Sequence, residues 1–372
     1  MSTPQTQILT GSAAEAEAGA LTPRRRSTDP NYLGRLAEAA RLIGEAFQGN
    51  SYAMLKLKES LTTSDFPILF GDVLDRELMA QYEQIQPLWQ QFARRTVVRD
   101  FRPKKWADLL GGRGILDPVA ERAPYPARGL DEAEYELTVG KYGARLPLTW
   151  EMFVNDDLDA FRSAPERLGQ AARDTEDMLA TKLVAGAAGP TAFFNGNGGV
   201  GTGKLTVDNL SAALTSIGSR KDSEGRPIVV TAMVLMVPPA LEVAANNILQ
   251  ATLIRFKTTG QDMEVGNWLA NKVRVVVNPW LTVVDESANV NTTWYLLPAP
   301  TIARPAVTMG FLRGYEVPDL RVKADGGNRL GGGAVPAEEG SFDDDSIQYR
   351  VRHVTGGTTL DPIAAYASNG SA

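Results

Sequence analysis

The sequence predicts an α+β chain whose strands pair across long separations. Stretches with helical periodicity alternate irregularly with short apolar stretches that are typical of strands. Two of the predicted strands are separated by about thirty residues rich in glycine and proline, which is long for a connection inside a compact domain. A chain of 372 residues also needs one large core or two interlocked cores.

The composition is that of a globular protein made in a reducing compartment. Hydrophobic residues make up 43% and charged residues 22% of the chain. There is no cysteine, no signal-peptide pattern at the start, and no apolar run of about eighteen residues that could cross a bilayer. The net charge of −6 opposes strong attraction of the whole molecule to nucleic acid.

The single histidine, His353, leaves little of the usual catalytic equipment. Serine-type triads, multi-histidine zinc sites and HExxH motifs all need histidines in other settings. His353 lies in the run 347–354, which predicts a strand. We therefore expect no enzyme active site, and we expect His353 on a strand surface or at an interface.

The first ninety-six residues predict a flexible segment followed by helices. Residues 1–30 cannot build a core, and the flexible segment 1–60 contains one amphipathic helix, at Tyr32–Phe47. Residues 61–96 form a helical lead-in, with a helix from about 72 to 94 that breaks near Pro87.

Residues 97–148 predict an extended β-hairpin loop. The strand-like runs Val97–Arg102 and Tyr135–Val139 flank the glycine- and proline-rich connection. Arms of about fifteen residues would reach roughly 50 Å, whereas a compact chain of this size has a radius of gyration of about 21 Å. Such an arm needs a neighbouring subunit to lie on. A surface loop without fixed structure is the alternative.

The remainder of the chain alternates between helices and strands. A long helix is predicted from 163 to 186 or 189, opened by the capping box Ser163–Glu166. Another helix is marked by Leu210 and Ile217, and a third follows Pro238–Pro239. The predicted strands are Ile228–Val237, Val273–Val277, Trp294–Leu297, Val307–Leu312, Leu320–Lys323 and Ile347–Thr355.

The segment 198–204 has the spacing of a phosphate-binding loop but lacks two of its requirements. A serine or threonine must follow the lysine to hold magnesium, and here Leu205 follows Lys204. A buried strand must also precede the loop, but the preceding residues are turn-rich. We favour a flexible loop and keep a nucleotide-binding enzyme as a remote alternative.

Two acidic runs, 155–159 and 343–345, raise the question of a cation site. Carboxylates are favoured at the positive N-terminal end of a helix, which accounts for the first run more simply. The second run lies in a glycine-rich, solvated setting. We predict no metal and no cofactor.

Charge is distributed unevenly between two segments. Residues 94–113 carry seven basic and two acidic residues, whereas residues 151–177 carry eight acidic and three basic residues. We hypothesise that the two segments meet between neighbouring copies, because complementary potentials fix register and partner choice. Two unrelated solvated faces would give the same pattern. The candidate contact residues are Arg99, Arg102, Lys104 and Lys105 on the basic side, and Asp156, Asp157, Glu166 and Asp174 on the acidic side.

Four short stretches resemble the major capsid proteins of tailed bacteriophages. They are Leu69–Leu74, Phe153–Leu158, Leu235–Glu242 and Tyr349–Gly357. Together they are similar to the Hong Kong 97 type, in particular to the branch of Mu-type major head subunits. The resemblance covers residues from about 60 to 368.

The resemblance implies an N-terminal arm, an extended β-hairpin loop, a long spine helix, a peripheral domain and an axial domain. The implied division is 1–60 for the flexible segment, 61–96 for the arm, 97–148 for the extended loop, 149–204 for the peripheral domain with its spine helix, 205–320 for the axial domain, and 321–372 for the returning peripheral strands and tail.

The resemblance also implies a major capsid protein that self-assembles into hexamers and pentamers of an icosahedral shell around double-stranded DNA. The protein would be made in the host bacterial cytoplasm and end in the virion. Its partners would be further copies, scaffolding, portal and decoration proteins, and weakly bound DNA, but no membrane. Some members cross-link a lysine to a neighbour's asparagine, but no motif here carries those positions over, so we expect a non-covalent shell. The alternative is an encapsulin-like compartment with an enzyme cargo.

Overall fold

The computed structural model confirms the α+β class. It describes residues 66–109, 132–149, 164–197, 200–221, 227–228, 230–258, 261–269, 272–302, 305–323, 327–328, 334–335 and 346–371, together with a few single positions. The predicted helix at Tyr32–Phe47, the start of the capping box at Ser163, and the acidic runs 155–159 and 343–345 lie outside these residues, apart from isolated positions in the helix.

The helices are α1 (Phe66–Gln84), α2 (Ala164–Val184), α3 (Val207–Ser219), α4 (Glu242–Gln250) and α5 (Leu281–Val284). Short 3-10 turns occupy Leu88–Gln91, Ala192–Asn197, Pro239–Leu241 and Pro362–Ala364. The strands are β1 (Arg94–Val98), β2 (Lys104–Leu109), β3 (Glu132–Leu137), β4 (Gly140–Thr149), β5 (Ala185–Gly186), β6 (Gly189–Pro190), β7 (Met233–Val237), β8 (Leu253–Thr258), β9 (Gln261–Gly266), β10 (Val273–Val277), β11 (Trp294–Pro298), β12 (Val307–Leu312), β13 (Asp319–Lys323), β14 (Gly327–Asn328), β15 (Ala334–Val335), β16 (Ser346–Thr359) and β17 (Tyr366–Ser368).

The chain divides into two compact units. The first contains residues 1–86, 141–173 and 317–353, and the second contains residues 87–140, 174–316 and 354–372. The division falls inside α2 and inside β16, so each of these elements supplies residues to both units.

In the first unit, β16 forms the middle of a small sheet. Its residues 348–352 pair antiparallel with β13, and β4 also pairs with it. Helix α1 packs against β13 and against the beginning of α2, where Gly169 approaches the carbonyl oxygen of Leu78 so closely that a Cβ would lie 3.0 Å from it. The main buried side chains on this helix are Leu74, Leu78 and Tyr82.

An ion network joins β13 to β16. Asp319 and Arg352 are directly opposite across the two strands. Arg352 donates to Asp319 through Nε at 3.1 Å and Nη2 at 3.0 Å, and Arg321 Nε donates to it at 2.8 Å. Burial acts to raise the pKa of Asp319, but the hydrogen bonds and charges of Arg352 and Arg321 outweigh it and hold the pKa below its usual value.

His353 is a core residue of the first unit. It lies in β16 as predicted, but only 2% of its surface is exposed, so the expectation of a surface or interface position is wrong for the single chain. Its ring meets Tyr82 edge to face at 5.8 Å. The Arg173 guanidinium lies 3.5 Å from the centre of the same tyrosine ring, and its Nε donates to the Tyr82 carbonyl at 2.8 Å.

The second unit is built around a four-stranded sheet in the order β10, β7, β11, β17. Strand β7 is parallel to β10 and antiparallel to β11. Its five residues alternate between two cores: Val234 and Met236 join one, while Met233, Leu235 and Val237 join the other. Burial on both faces explains why this strand is apolar throughout.

Different elements cover the two faces of this sheet. The end of α2, the aromatic residues Trp89 and Phe92, and strand β12 contribute to the core that contains Met236. Helices α3 and α4 contribute to the core that contains Leu235. Thr206 caps α3 by accepting a hydrogen bond from the Asn209 amide at 3.2 Å.

Two buried carboxylates of α2 hold the 3-10 turn at residues 88–91. Glu176 accepts from the indole Nε1 of Trp89 at 2.7 Å. Asp177 accepts from the backbone amides of Trp89 at 2.8 Å and Leu88 at 3.1 Å. Burial raises the pKa of Asp177 to about 6, with smaller contributions from Glu176 and Asp174, although the two backbone hydrogen bonds act to lower it.

Several predicted elements agree closely with the structure. Strands β10 and β12 have the predicted bounds, and α3 covers the predicted helix. Other bounds differ: β7 begins at Met233 rather than at 228, and α2 ends at Val184, where β5 follows directly. The helical stretch predicted over 72–94 breaks near Pro87 as predicted: α1 ends at Gln84 and a 3-10 turn covers Leu88–Gln91. Its predicted end is replaced by β1, which begins at Arg94.

Several elements escaped prediction, among them β4, the β8–β9 hairpin and β17. Strand β4 contains two glycines and a proline, and β8 and β9 each contain two charged residues among six. Such compositions weaken the strand signal. The short β17 pairs with β11 on one side and is bridged to Gly201 on the other, contacts that its own three residues do not reveal.

We expect Asp177→Asn to change how stability depends on pH. A carboxyl group whose folded pKa is above its unfolded value of about 3.9 stabilises the protein at low pH, and this contribution is lost as the pH rises through about 6. Between pH 4 and 6, the melting temperature of the wild type should therefore fall relative to that of the variant. Thermal unfolding across this range measures the difference. The exposed Asp208→Asn variant should track the wild type, and parallel curves for Asp177→Asn would contradict the assignment.

We expect Asp319→Asn to destabilise the first unit by about 2–3 kcal/mol, because two guanidinium groups would then face a neutral amide in a partly buried site. Arg321→Gln is the matched control. The Arg321 side chain is 50% exposed, so its loss should cost less than about 1 kcal/mol. Urea unfolding followed by tyrosine and tryptophan fluorescence distinguishes the two variants. Equal losses would contradict the network.

Candidate functional site

Strands β2 and β3 form a two-stranded ribbon inside the segment predicted as the extended loop. The predicted first strand, Val97–Arg102, is wrong, because β1 ends at Val98 and pairs with β12, and the ribbon begins at Lys104. Its register runs from Lys104 opposite Leu137 to Leu109 opposite Glu132. Residues 110–131, which connect the strands, lie outside the described residues, so the predicted reach of the arm stays a prediction. Among the described elements, neither strand has an extensive contact except with the other.

The ribbon is anchored at its base by Leu137. This side chain is fully buried in a small cluster with Val98, Val139, Leu312 and Val354. Two glycines allow the chain to lie this close to the sheet. A Cβ at Gly310 would lie 2.7 Å from a Leu137 methyl group, and one at Gly356 would collide with the Thr138 carbonyl.

The basic candidates Arg99, Arg102, Lys104 and Lys105 are all exposed and lie on or just before the ribbon. Lys105 has an ion-pair partner in its own chain, since its Nζ lies 3.7 Å from Oε1 of Glu136 across the ribbon. Both side chains are more than half exposed, so the pair contributes little stability. The four basic residues therefore lie on the surface as predicted, but the charge of Lys105 is partly balanced by Glu136 of β3.

Acidic residues of β3 were missed by the sequence analysis. Glu132, Glu134 and Glu136 occupy alternate positions in the sequence of the strand, and the register places Glu136 opposite Lys105. Their spacing of two was the available signal. The ribbon thus carries Lys104 and Lys105 on one strand and three carboxylates on the other.

The acidic candidates have different outcomes. Asp156 and Asp157 lie outside the described residues. Glu166 is exposed in the first turn of α2, where the helix dipole favours a carboxylate. Asp174 is partly buried, which raises its pKa.

Glu176 and Asp177, which contribute to the excess acidity of residues 151–177, are not available to a neighbour. They are buried and bound to the turn at residues 88–91. The acidic surface is therefore smaller than the sequence count indicates. Contact between the basic and acidic candidates of neighbouring copies stays a prediction.

The glycine-rich segment after residue 200 is tied into the fold. Gly203 accepts from Trp294 Nε1 at 3.0 Å and from Ser368 Oγ at 2.7 Å. The Gly201 amide donates to Ala367, and its carbonyl accepts from Asn369. The expectation of a flexible loop is therefore wrong for residues 200–204, because their backbone extends the edge of the sheet at β17 and is engaged in structural hydrogen bonds.

Within the described part of the chain, no cluster of acidic or histidine side chains has the geometry of a metal site. The same residues include no helix long and apolar enough to cross a membrane.

Three solved structures resemble part of the chain. The virus-like particle from Pyrococcus furiosus is 12% identical with a TM-score of 0.43, and the match covers 80% of this chain and 99% of that chain. The holo-SrpI encapsulin complex from Synechococcus elongatus PCC 7942 is 13% identical with a TM-score of 0.41, and covers 77% and 89%. Gordonia phage Cozz is 14% identical with a TM-score of 0.43, and covers 76% and 86%.

No curated protein sequence matches the chain. A family model described as "phage capsid protein" does match, over residues 133–368. This range begins in the ribbon strand β3 and includes α2, the four-stranded sheet and three of the capsid-like stretches, Phe153–Leu158, Leu235–Glu242 and Tyr349–Gly357. The resemblance to capsid proteins is confirmed at the level of the family, while the Mu-type branch stays a prediction. Because the match spans well over half of its length, the chain belongs to the phage capsid protein family.

Proposed function

We propose that the chain is the major head subunit of a tailed bacteriophage, which assembles into hexamers and pentamers of an icosahedral shell that packages double-stranded DNA. Membership of the phage capsid protein family supports the capsid role. The β2–β3 ribbon is the observation that supports assembly through an extended arm. Apart from its anchored base it has no extensive contact with another described element, and an isolated two-stranded ribbon is at best marginally stable in water.

The proposed architecture is that of the Hong Kong 97 type. Residues 97–148 would be the extended loop, 149–204 the peripheral domain with α2 as its spine helix, and 205–320 the axial domain. Residues 1–60 and 61–96 would form the N-terminal segment and arm, and 321–372 would return to the peripheral domain. Helix α2 is about 32 Å long, at 1.5 Å per residue, which suits a spine.

The proposed role is structural rather than catalytic. The buried acids Glu176, Asp177 and Asp319 all hold backbone or side-chain donors of the fold. The sheet-bound loop after residue 200 is likewise engaged in structural hydrogen bonds. The proposed location is the virion, with scaffolding, portal and decoration proteins as further partners, and a shell held without covalent cross-links.

We expect the expressed chain, alone or with its scaffolding partner, to form polyhedral particles or capsomer rings in negative-stain electron microscopy. Particles formed in the phage-infected cell should contain nuclease-protected DNA, because the proposed shell packages a genome. A protein cargo in place of DNA would favour an encapsulin-like compartment. A chain that stays monomeric under all these conditions would contradict the proposal. Denaturing electrophoresis of the particles should release monomers, as expected for a non-covalent shell.

We also propose that the basic residues at the ribbon's base, Arg99, Arg102, Lys104 and Lys105, contact Asp156, Asp157, Glu166 and Asp174 of a neighbour. The exposure of the four basic residues and of Glu166 supports this pairing. The burial of Asp174 and the pairing of Lys105 with Glu136 weigh against equal contributions from all eight residues.

The triple variant Arg102→Glu, Lys104→Glu, Lys105→Glu should reduce particle yield at least tenfold while leaving a folded, soluble subunit, since all three side chains are exposed. A matched control reverses three exposed lysines elsewhere, at Lys182, Lys204 and Lys221, and should assemble normally. Sedimentation separates particles from subunits. Wild-type yield from the ribbon variant would show that the charge pairing is wrong.

A further inference from the structure

A groove opens on the surface of the second unit, beside the core that contains Leu235. Ile217 and Met233 line it and are buried members of that core. Leu214 and Val230 also line it and are half-buried. The cavity has a volume of about 220 Å³ and is partly open to solvent. One side of this core is therefore accessible from outside.

The volume of the groove suits one large apolar side chain. An apolar cavity of about 150 Å³ binds benzene, whereas sites for drug-sized molecules and cofactors measure about 300 Å³ or more. At about 220 Å³ the groove lies between these two sizes. Because it opens to the surface, a side chain of another polypeptide can enter it while the backbone of that polypeptide stays outside.

Gly218 leaves one part of the groove empty. It lines the groove in the last turn of α3, and its φ is not in the positive range that favours glycine. A Cβ at this position would have no heavy atom within 4 Å. Glycine is the least favourable helix residue after proline. Neither the backbone nor the packing of the single chain requires glycine here, so the open space is the feature that it preserves.

Trp268 and Lys272 form the exposed rim of the groove. Trp268 is 39% exposed, although Asn267 before it is hydrogen-bonded to the end of α4 and Leu269 after it is fully buried. The Lys272 ammonium lies 5.5 Å from the centre of the Trp268 ring. Among the described residues that line the groove, Lys272 alone is charged, and no described carboxylate forms an ion pair with it.

We propose that this groove is a docking site for an extended segment of a partner protein, which inserts one large apolar side chain next to a carboxylate. The apolar side chain would fill the space between Leu214 and Trp268, and the carboxylate would pair with Lys272. An aromatic residue at the edge of an apolar pocket is typical of the side chains that contribute most to protein interfaces. The inference goes beyond the proposed function, because the groove belongs to one chain.

Charge complementarity decides which kind of segment suits the groove. A purely apolar segment would cover the Lys272 ammonium and remove its water without supplying a counter-charge, which is unfavourable. A carboxylate beside the inserted side chain supplies that charge at the rim. An ion pair in this position selects between partners more than it adds affinity.

The first test uses N-acetyl-para-fluorophenylalanine, which carries one aromatic side chain and one carboxylate. Broadening of its fluorine NMR signal measures binding to the purified subunit. The dissociation constant should be on the order of 1 mM, because so small a ligand makes few contacts. Its primary amide has the same side chain without the charge and should bind about two- to fivefold more weakly, since an exposed ion pair contributes modestly. Equal binding of acid and amide, or no binding of either, would overturn the proposal.

Gly218→Leu should fill the groove and weaken binding of the acid at least about tenfold. The variant should melt no lower than the wild type, because its Cβ meets no other atom and leucine favours a helix more than glycine does. Ser216→Leu is the matched control, since Ser216 is exposed on the same helix outside the groove, and this variant should bind like the wild type. Unchanged binding by a folded Gly218→Leu variant would show that the compound binds elsewhere.

Two rim variants test the groove independently of Gly218. Lys272→Gln should remove the preference for the acid over its amide, whereas Lys204→Gln, at an exposed lysine outside the groove, should keep it. Trp268→Ala should weaken binding of both compounds at least about fivefold, because the ring forms part of the site. A preference that survives Lys272→Gln, or full binding by Trp268→Ala, would contradict the assignment.

A photo-crosslinking amino acid at Thr215, an exposed residue of the groove, tests the partner in phage-infected cells. The cross-linked peptide should come from another protein and carry a large apolar residue next to an acidic residue or at a C-terminus. Gly218→Leu should reduce the cross-link at least about tenfold. A cross-link to a second copy of this chain, or one that survives Gly218→Leu, would overturn the proposal. Binding of the two compounds needs only the folded subunit, so failure of the chain to assemble would contradict the proposed function alone.

Discussion

The double-sided burial of β7 is the constraint on which the second unit depends. Because Val234 and Met236 face one core while Met233, Leu235 and Val237 face the other, helices must cover one side and α2, β12 and the residues around Trp89 must cover the opposite side. A polar residue in this strand would lack water on either face. The order of the neighbouring strands, β10 on one side and β11 on the other, follows from which apolar segments can pair with it.

Polar groups inside the two units fix positions that apolar packing leaves open. Glu176 and Asp177 locate the turn at Trp89 against α2 by three hydrogen bonds. Asn278 fixes the end of β10 in the same way. Its side-chain Nδ2 donates to the Thr181 hydroxyl at 2.8 Å, and its backbone amide donates to the Val237 carbonyl. In the first unit Asp319 sets the pairing of β13 with β16. Buried polar groups of this kind specify one arrangement among several that bury similar apolar area.

The β2–β3 ribbon depends on apolar packing at its base more than on its charges. Leu137 is buried with Val98, Leu312 and Val354, whereas neither strand has an extensive contact with another described element. Lys105 and Glu136 are opposite each other, but both side chains are more than half exposed, so this pair adds little stability. A two-stranded ribbon alone is at best marginally stable in water, so the buried base fixes its position.

The sequence by itself determined the α+β class, the strands β10 and β12, the helix α3 and the capsid family resemblance. These features rest on local periodicity and on short motifs, which neighbouring residues specify. Tertiary structure alone decided that Glu176 and Asp177 are internal ligands of Trp89, that His353 is buried against Tyr82, and that Gly203 bonds to Trp294. Each of these contacts joins residues about ninety or more positions apart. Burial of a charged or polar side chain depends on which distant donor reaches it, and no local pattern carries that information.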